Sequence, residues 1–234
     1  MNKSIYRGLS KEGLLPGKLE VKRRAHEFIN PKTENESVVA GHYRKIMSFA
    51  FAVAEENASG GEIVTAPTCG SCAVLPSVLL FYESIYRKTV DDVINALAVA
   101  GVIGNVIKQN ASISGAEAGC QAEIGSACAM AAAGFAYLKN LNIDQIECAA
   151  EAAMEHSLGS TCDPVGGYVQ IPCIERNVVA ANRAILCGRI AEYASDSHSV
   201  SFDTIVKTMY ETGKDLNKKY RETSKGGLAK EFHN

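Results

Sequence analysis

The chain has 234 residues, 47% hydrophobic and 21% charged, with a formal net charge of -2. That balance suits one domain with a substantial core, or two small ones, and lacks the basic surplus of a nucleic-acid or acidic-membrane surface. No apolar h-region follows the N-terminus, so the eight cysteines are expected as reduced thiols in a reducing cytoplasm rather than as a disulfide framework.

Residues 1–35 are punctuated by Gly8, Gly13, Pro16, Gly17 and Pro31 and are expected to be irregular. The basic run Lys18 to Arg24 reads as solvated surface. Residues 36–234 are expected to form the helical domain. From Ser37, SVVAGHYRKIMSFAFAVAEEN repeats close to a helical period until Gly60-Gly61. GEIVTAPTCGSCAVLP (61–76) is a short β-branched run and then a loop holding Pro67, Gly70 and Pro76.

Helices are expected at 77–87 and 91–109. The second opens with Asp91-Asp92 and closes with Lys108, charges that suit the helix dipole. It is apolar nearly all round, which predicts a buried central helix. The stretch 122–138 comes nearest to a membrane span. It is rich in Ala and Gly, has Glu123, Ser126 and Lys139 at or near its ends, and falls short of about 20 apolar residues. It reads as a core helix, part of a longer one at 116–138, and no membrane partner is expected. Further helices are expected at 144–157, 175–194 and 202–214, and the tail RETSKGGLAKEFHN is expected to be irregular. With no convincing strand pairs and no repeat, the class is all-α: a single compact helical domain with long loops carrying cysteines.

Cys120, Cys162 and Cys173 stand in the segments NASISGAEAGC, TCDPVGG and QIPCIERN, dense in Gly, Asn, Asp and Pro. Pro164 and Pro172 stiffen the turns around the last two, as a metal ligand's backbone should be. Three thiolates can hold a metal cluster and leave one metal position open. Their spacings match neither a zinc finger nor a ferredoxin run. The turn from Asn110 to Cys120 offers backbone N–H groups to an anion, or is a simple N-cap with Ser114 capping and Glu117 at the third helical position. Cys69-Gly70-Ser71-Cys72 has the spacing of a zinc ribbon or redox loop, but no second such pair and no βαβ context; it reads equally as small residues packed on a helix. Cys128, Cys148 and Cys187 fall on expected helices and read as core residues. His156 reads as a helix-end cap or as a base near Cys162. His26, His42, His198 and His233 have no supporting pattern.

Taken together, LLPGKLEVKRRA (14–25), EENASGGEIVTAPT (55–68), NASISGAEAGCQAEIGSACAMAAAG (110–134), EHSLGSTCDPVGGYVQIPCIERN (155–177) and RETSKGGLA (221–229) resemble the iron–sulfur-dependent L-serine dehydratase family, its α subunit or α domain. The resemblance covers most of the chain. It implies a helical catalytic domain holding a 4Fe–4S cluster through Cys120, Cys162 and Cys173. It also implies dehydration of L-serine to pyruvate and ammonia without pyridoxal phosphate. Matching blocks nominate Thr65, Thr68, Asn110, Ser112, Ser114 and Glu117 as substrate-binding residues; no catalytic base is assigned.

Three departures from the family stand out. A β subunit or further N-terminal domain, with its Ser-Ser-His-Thr-like segment, is absent from this sequence, so a separate partner and an oligomer are expected, or a modified activity. Cys69 and Cys72 stand where relatives carry small or amide residues; they are neutral replacements or a source of a fourth cluster ligand. Some relatives end in a cysteine, whereas this chain ends Phe232-His233-Asn234. The alternatives are cysteine desulfidation by the same superfamily, with threonine as a further substrate, a non-catalytic metal or redox protein built on the CGSC loop, and a structural subunit without catalysis.

Overall fold

The computed structural model describes residues 1–232, which form ten α-helices and no β-strand. The helices are α1 (Asn2–Leu9), α2 (Val38–Ala58), α3 (Val74–Tyr86), α4 (Val90–Asn110), α5 (Gly115–Ala118), α6 (Ser126–Leu138), α7 (Ile143–Glu155), α8 (Cys173–Ala194), α9 (Phe202–Asp215) and α10 (Leu228–Glu231). The all-α class read from the sequence is the class observed. The expectations for His233 and Asn234 lie outside the described residues.

Local chemistry starts the long helices. Ser37 accepts from Ala40 N–H at the head of α2, and Ser201 accepts from Thr204 N–H at the head of α9. Thr89 with Asp92, and Asn142 with Gln145, close reciprocal capping boxes on α4 and α7. Each satisfies two backbone donors that the first turn leaves free.

The core is built around α6, which packs against α3, α4, α7 and α8. Its buried side chains are mostly alanine, so neighbouring backbones approach closely and pack densely without large side chains between them. Phe135 of α6 meets Tyr82 of α3 edge to face at 4.6 Å between ring centroids. The stretch 122–138 is thus the core helix its composition implied.

The helix expected at 116–138 is interrupted at Gly119 and the tail expected to be irregular carries α10; two larger expectations fail as well. Residues 1–35 are not wholly irregular: α1 and a 3₁₀ turn at Ala25–Phe28 form there. Gly8 lets α1 touch α2 backbone to backbone, since a Cβ there would lie 2.2 Å from the Ala52 carbonyl oxygen. Two buried α2 carboxylates then tie the segment down. Glu56 pairs with Arg7 (3.0 Å) and Lys11 (2.5 Å), and Glu55 accepts from Arg24 N–H (2.6 Å).

The second failure is α4, which is not central. Only Ala96, Ala100, Gly104 and Ile107 are buried, while Val90, Ile94 and Val102 are more than half exposed. The small residues at 96, 100 and 104 make a narrow seam that seats the helix on α6, and its contacts with α3 and α9 are slight. Among the described residues, α4 is the helix long and apolar enough to cross a membrane, with mean hydropathy 1.6 over its most apolar window.

Candidate active site at the cysteine loops

Cys120 lies in a break between two helices. After α5, Gly119 takes φ +77°, and a side chain there would collide with the Ser160 carbonyl oxygen at 2.7 Å. Cys120 follows, then a π-helical turn, Gln121–Gly125, before α6 begins. Such turns widen a helix locally and are frequent at functional sites. Cys120 N–H donates to Ser160 O (3.0 Å), and the Gln121 carboxamide bridges Gly159 N–H, Ala118 O and Met209 O at 2.9, 2.9 and 3.0 Å. The Cys120 turn is therefore sewn to the loop that leads into Cys162.

Cys162 is held by its backbone. Its N–H donates to Tyr220 O (2.8 Å), and its carbonyl accepts from Glu222 N–H (2.7 Å), making a one-residue parallel bridge with Arg221. The tail expected to be irregular thus has a fixed course beside this cysteine. Cys173 is the first residue of α8. One turn on, the Asn177 carboxamide donates to Cys173 O (2.9 Å) and Gly70 O (2.7 Å) and accepts from Ala73 N–H (3.1 Å). That side chain pins the 69–73 loop beside Cys173.

Cys69, Gly70, Glu123, Cys162, Cys173 and Glu222 line a cavity of about 370 Å³. Glu123, carried by the π-helical turn, accepts from Thr68 Oγ1 (2.8 Å) and lies 4.0 Å from the Cys162 Sγ. Gly115 closes the same spot: a Cβ would fall 2.8 Å from Glu123 Oε2 and 2.9 Å from the Cys162 sulfur. Cys120 opens instead on an adjoining cavity of about 240 Å³, shared with Ser160, Arg176 and Arg183.

Burial pushes the Cys173 thiol up to about 12, with Cys120 adding to the rise. Cys162 is raised by burial first, then by Cys120 and Glu123. Cys120 is raised by burial, against the pull of Arg176. The three thiols thus feel one another's charge. Burial also raises the Glu123 carboxyl, against the Thr68 hydrogen bond. Among the described residues, no three Cys, His, Asp or Glu side chains gather tightly enough to share a single metal ion.

The other sequence candidates divide. Thr68 reaches the cavity through Glu123. Ser112 Oγ donates to Glu117 Oε2 (2.6 Å) and accepts from Ser114 N–H (3.1 Å). Ser114 makes no side-chain cap, so the expected pairing of Ser114 with Glu117 is replaced by one through Ser112, whose side chain reaches both groups. Ser114 and Glu117 face a separate, more open concavity with Arg221. Thr65 is exposed and outside the cysteine cavity. Asn110 is exposed and turns its amide onto its own helix, at Val106 O (3.0 Å).

His156 places Nδ1 2.8 Å from Ala152 O, the cap geometry. Cys128, Cys148 and Cys187 are buried on α6, α7 and α8, and all eight cysteines are free thiols. The CGSC pair splits, Cys69 facing the cavity and Cys72 buried in the core. Glu123, Glu222 and Arg176 were not singled out as site residues. The one available signal was Glu123, a carboxylate at the mouth of an otherwise apolar run.

These features define an α-helical domain in which Cys69, Cys162, Cys173 and the half-buried Glu123 frame one cavity and Cys120 an adjoining one. Residues 1–229 match the family described as serine dehydratase alpha chain, and the chain belongs to that family. It is 51% identical over 235 residues to L-serine dehydratase 2 of Escherichia coli K12, covering 98% of this chain and 51% of that protein. It is 51% identical over 233 residues to L-serine dehydratase of Haemophilus influenzae (98% and 51%), and 49% identical over 230 residues to that of Streptomyces coelicolor (98% and 50%). The chain spans about half the length of these curated relatives.

Proposed function

We propose that this chain is the iron–sulfur half of an L-serine dehydratase, a carbon–oxygen lyase of a reducing cytoplasm that works with a second polypeptide or domain. The observation that carries the reading is that Cys162 and Cys173 line one cavity while Cys120, on an adjoining one, stands close enough for its charge to raise both of their thiols. The donor set fits a cluster better than a single ion. A tetrahedral ion with bonds of about 2.3 Å needs its sulfurs within roughly 4 Å of one another. A cluster gives each thiolate its own iron and accepts a wider triangle.

When bound, a 4Fe–4S cluster on these three thiolates supplies a Lewis acid for the departing hydroxyl of L-serine. The chain's own groups do the rest. Glu123 faces the cavity with its carboxyl raised by burial, the direction that suits a proton acceptor. Thr68 fixes the orientation of Glu123. Gly115 keeps the space beside Glu123 and Cys162 free of a side chain, and Gly119 lets the Cys120 turn close on Ser160. Ser112, Ser114 and Glu117, in the turn before Cys120, and the exposed Thr65 and Asn110 would contact substrate only if the second half of the enzyme brings it to them.

The test is anaerobic preparation of the complete enzyme with iron and acid-labile sulfide measured per chain, and ammonia release compared for L-serine, L-cysteine and L-threonine. Iron and sulfide in equal amounts are expected, with L-serine preferred, activity lost in air, and partial recovery with ferrous iron and reductant. Absence of iron after reconstitution, or activity that persists in air without it, would overturn the reading.

A further inference from the structure

Arg176 lies three residues past Cys173, in the first turn of α8. Its Nη1 donates to Thr161 O at 2.7 Å and its Nη2 to Asp163 Oδ1 at 2.8 Å. One guanidinium therefore grips the residues on both sides of Cys162. Asp163 is itself buried, and its other oxygen accepts from Leu228 N–H at 2.8 Å. The same guanidinium stands beside the Cys120 thiol, and the two side chains line one cavity. A planar fork makes these contacts at once; an ammonium is a single point charge and cannot span them.

We propose that Arg176 is a positioning residue for the iron–sulfur group: it joins the three cysteine-bearing segments and holds a positive charge behind Cys120. The inference rests on the reading that these cysteines bind a cluster. Fixed positive charge near an iron–sulfur group favours its more negative, reduced form, and the fork keeps the three ligand segments in register. Two properties follow that different substitutions separate. Arg176→Lys keeps the charge and loses the fork; Arg176→Met loses both.

The experiment uses the anaerobically reconstituted enzyme and three readouts: the rate of iron release to a ferrous chelator, the reduction potential of the iron–sulfur group, and the unfolding midpoint of the iron-free chain. Arg176→Met is expected to release iron at least 10-fold faster and to shift the potential negative. Arg176→Lys is expected to release iron faster than the parent with a potential close to it. A Met variant with parental release rate and potential overturns the proposal. So does one that only lowers the unfolding midpoint, since that is a structural role alone. Should the Met variant not fold, the Lys variant decides: faster release at a parental potential supports the proposal, and parental behaviour in both overturns it. A parent chain that takes up no iron removes the underlying reading and this proposal with it.

Discussion

Two groups of three thiols occupy this molecule, and burial separates them only at Cys173, which is partly exposed while the other five are buried. Cys128, Cys148 and Cys187 are 0%, 3% and 2% exposed; Cys120 and Cys162 are 5% and 4%. Mutual repulsion does not separate them. Burial and then Cys128 push Cys187 up to about 12, as burial and Cys120 do for Cys173. The difference lies in what presents them. The first group sits on the facing sides of α6, α7 and α8, lines neither cavity at the cysteine loops, and is represented in hydrogen bonding by Cys128 Sγ donating to Ala180 O at 3.4 Å. The second is carried on turns braced by Gln121, Asn177 and Arg176, beside space that a group can enter. A thiol becomes a ligand through backbone placement and room, more than through depth.

The sharpest way to break that comparison is to replace each thiol singly by serine and measure iron per folded chain after anaerobic reconstitution. Cys120→Ser, Cys162→Ser or Cys173→Ser should fall to below a tenth of the parent. Cys128→Ser, Cys148→Ser or Cys187→Ser should stay within two-fold of it; the last two should lose about 1–3 kcal/mol of stability, because a hydroxyl buried without a partner is costly, and Cys128→Ser less, because Ala180 O is in reach. Equal iron loss in both groups would erase the distinction.

Glycines give a second contrast. Gly188→Ala would drive a Cβ to 2.2 Å from the Phe135 ring between α8 and α6. Urea unfolding should show a loss of about 3 kcal/mol, at the upper end for overpacking, with iron stoichiometry of the folded fraction unchanged. Gly115→Ala meets Glu123 and the Cys162 sulfur instead, and should lower iron occupancy with less effect on unfolding.

The smallest effect concerns Glu151, which serves the helix-borne thiols much as Glu123 serves the loop-borne ones. Burial and then Glu155 push the Glu151 carboxyl up to about 7. Its folded value exceeds the ordinary 4.5, so the stability of the protonated form is present below about pH 4.5 and is lost as pH rises through 7. Glu151→Gln should therefore match the parent near pH 4.5 and exceed it by about 2 kcal/mol at pH 8. Chemical denaturation at the two pH values measures it, and an equal difference at both would contradict the assignment.

Much of the helical frame was readable because its causes are local. Thr89 with Asp92, Asn142 with Gln145, and the alanines of 126–138 each carry their instruction within a few residues. The readings that failed were those needing a partner. An apolar helix such as α4 does not reveal how many of its faces are covered; Ala96, Ala100 and Gly104 could serve one neighbour or be part of an all-round burial. Residues 1–9 lack a cap and become helical by packing on α2.

The site divides in the same way. Cys120, Cys162 and Cys173 were legible as stiff, turn-borne thiols, and their family resemblance was legible in whole blocks of sequence. Composition and periodicity by themselves determined the helical class and the buried α6, because those depend on neighbours along the chain. Only the tertiary structure decided that Glu123 and Glu222 share a cavity with Cys69, that Ser112 rather than Ser114 takes Glu117, and that Arg176 reaches both sides of Cys162. Those contacts join residues far apart in the chain, and their geometry comes from helix packing rather than from spacing.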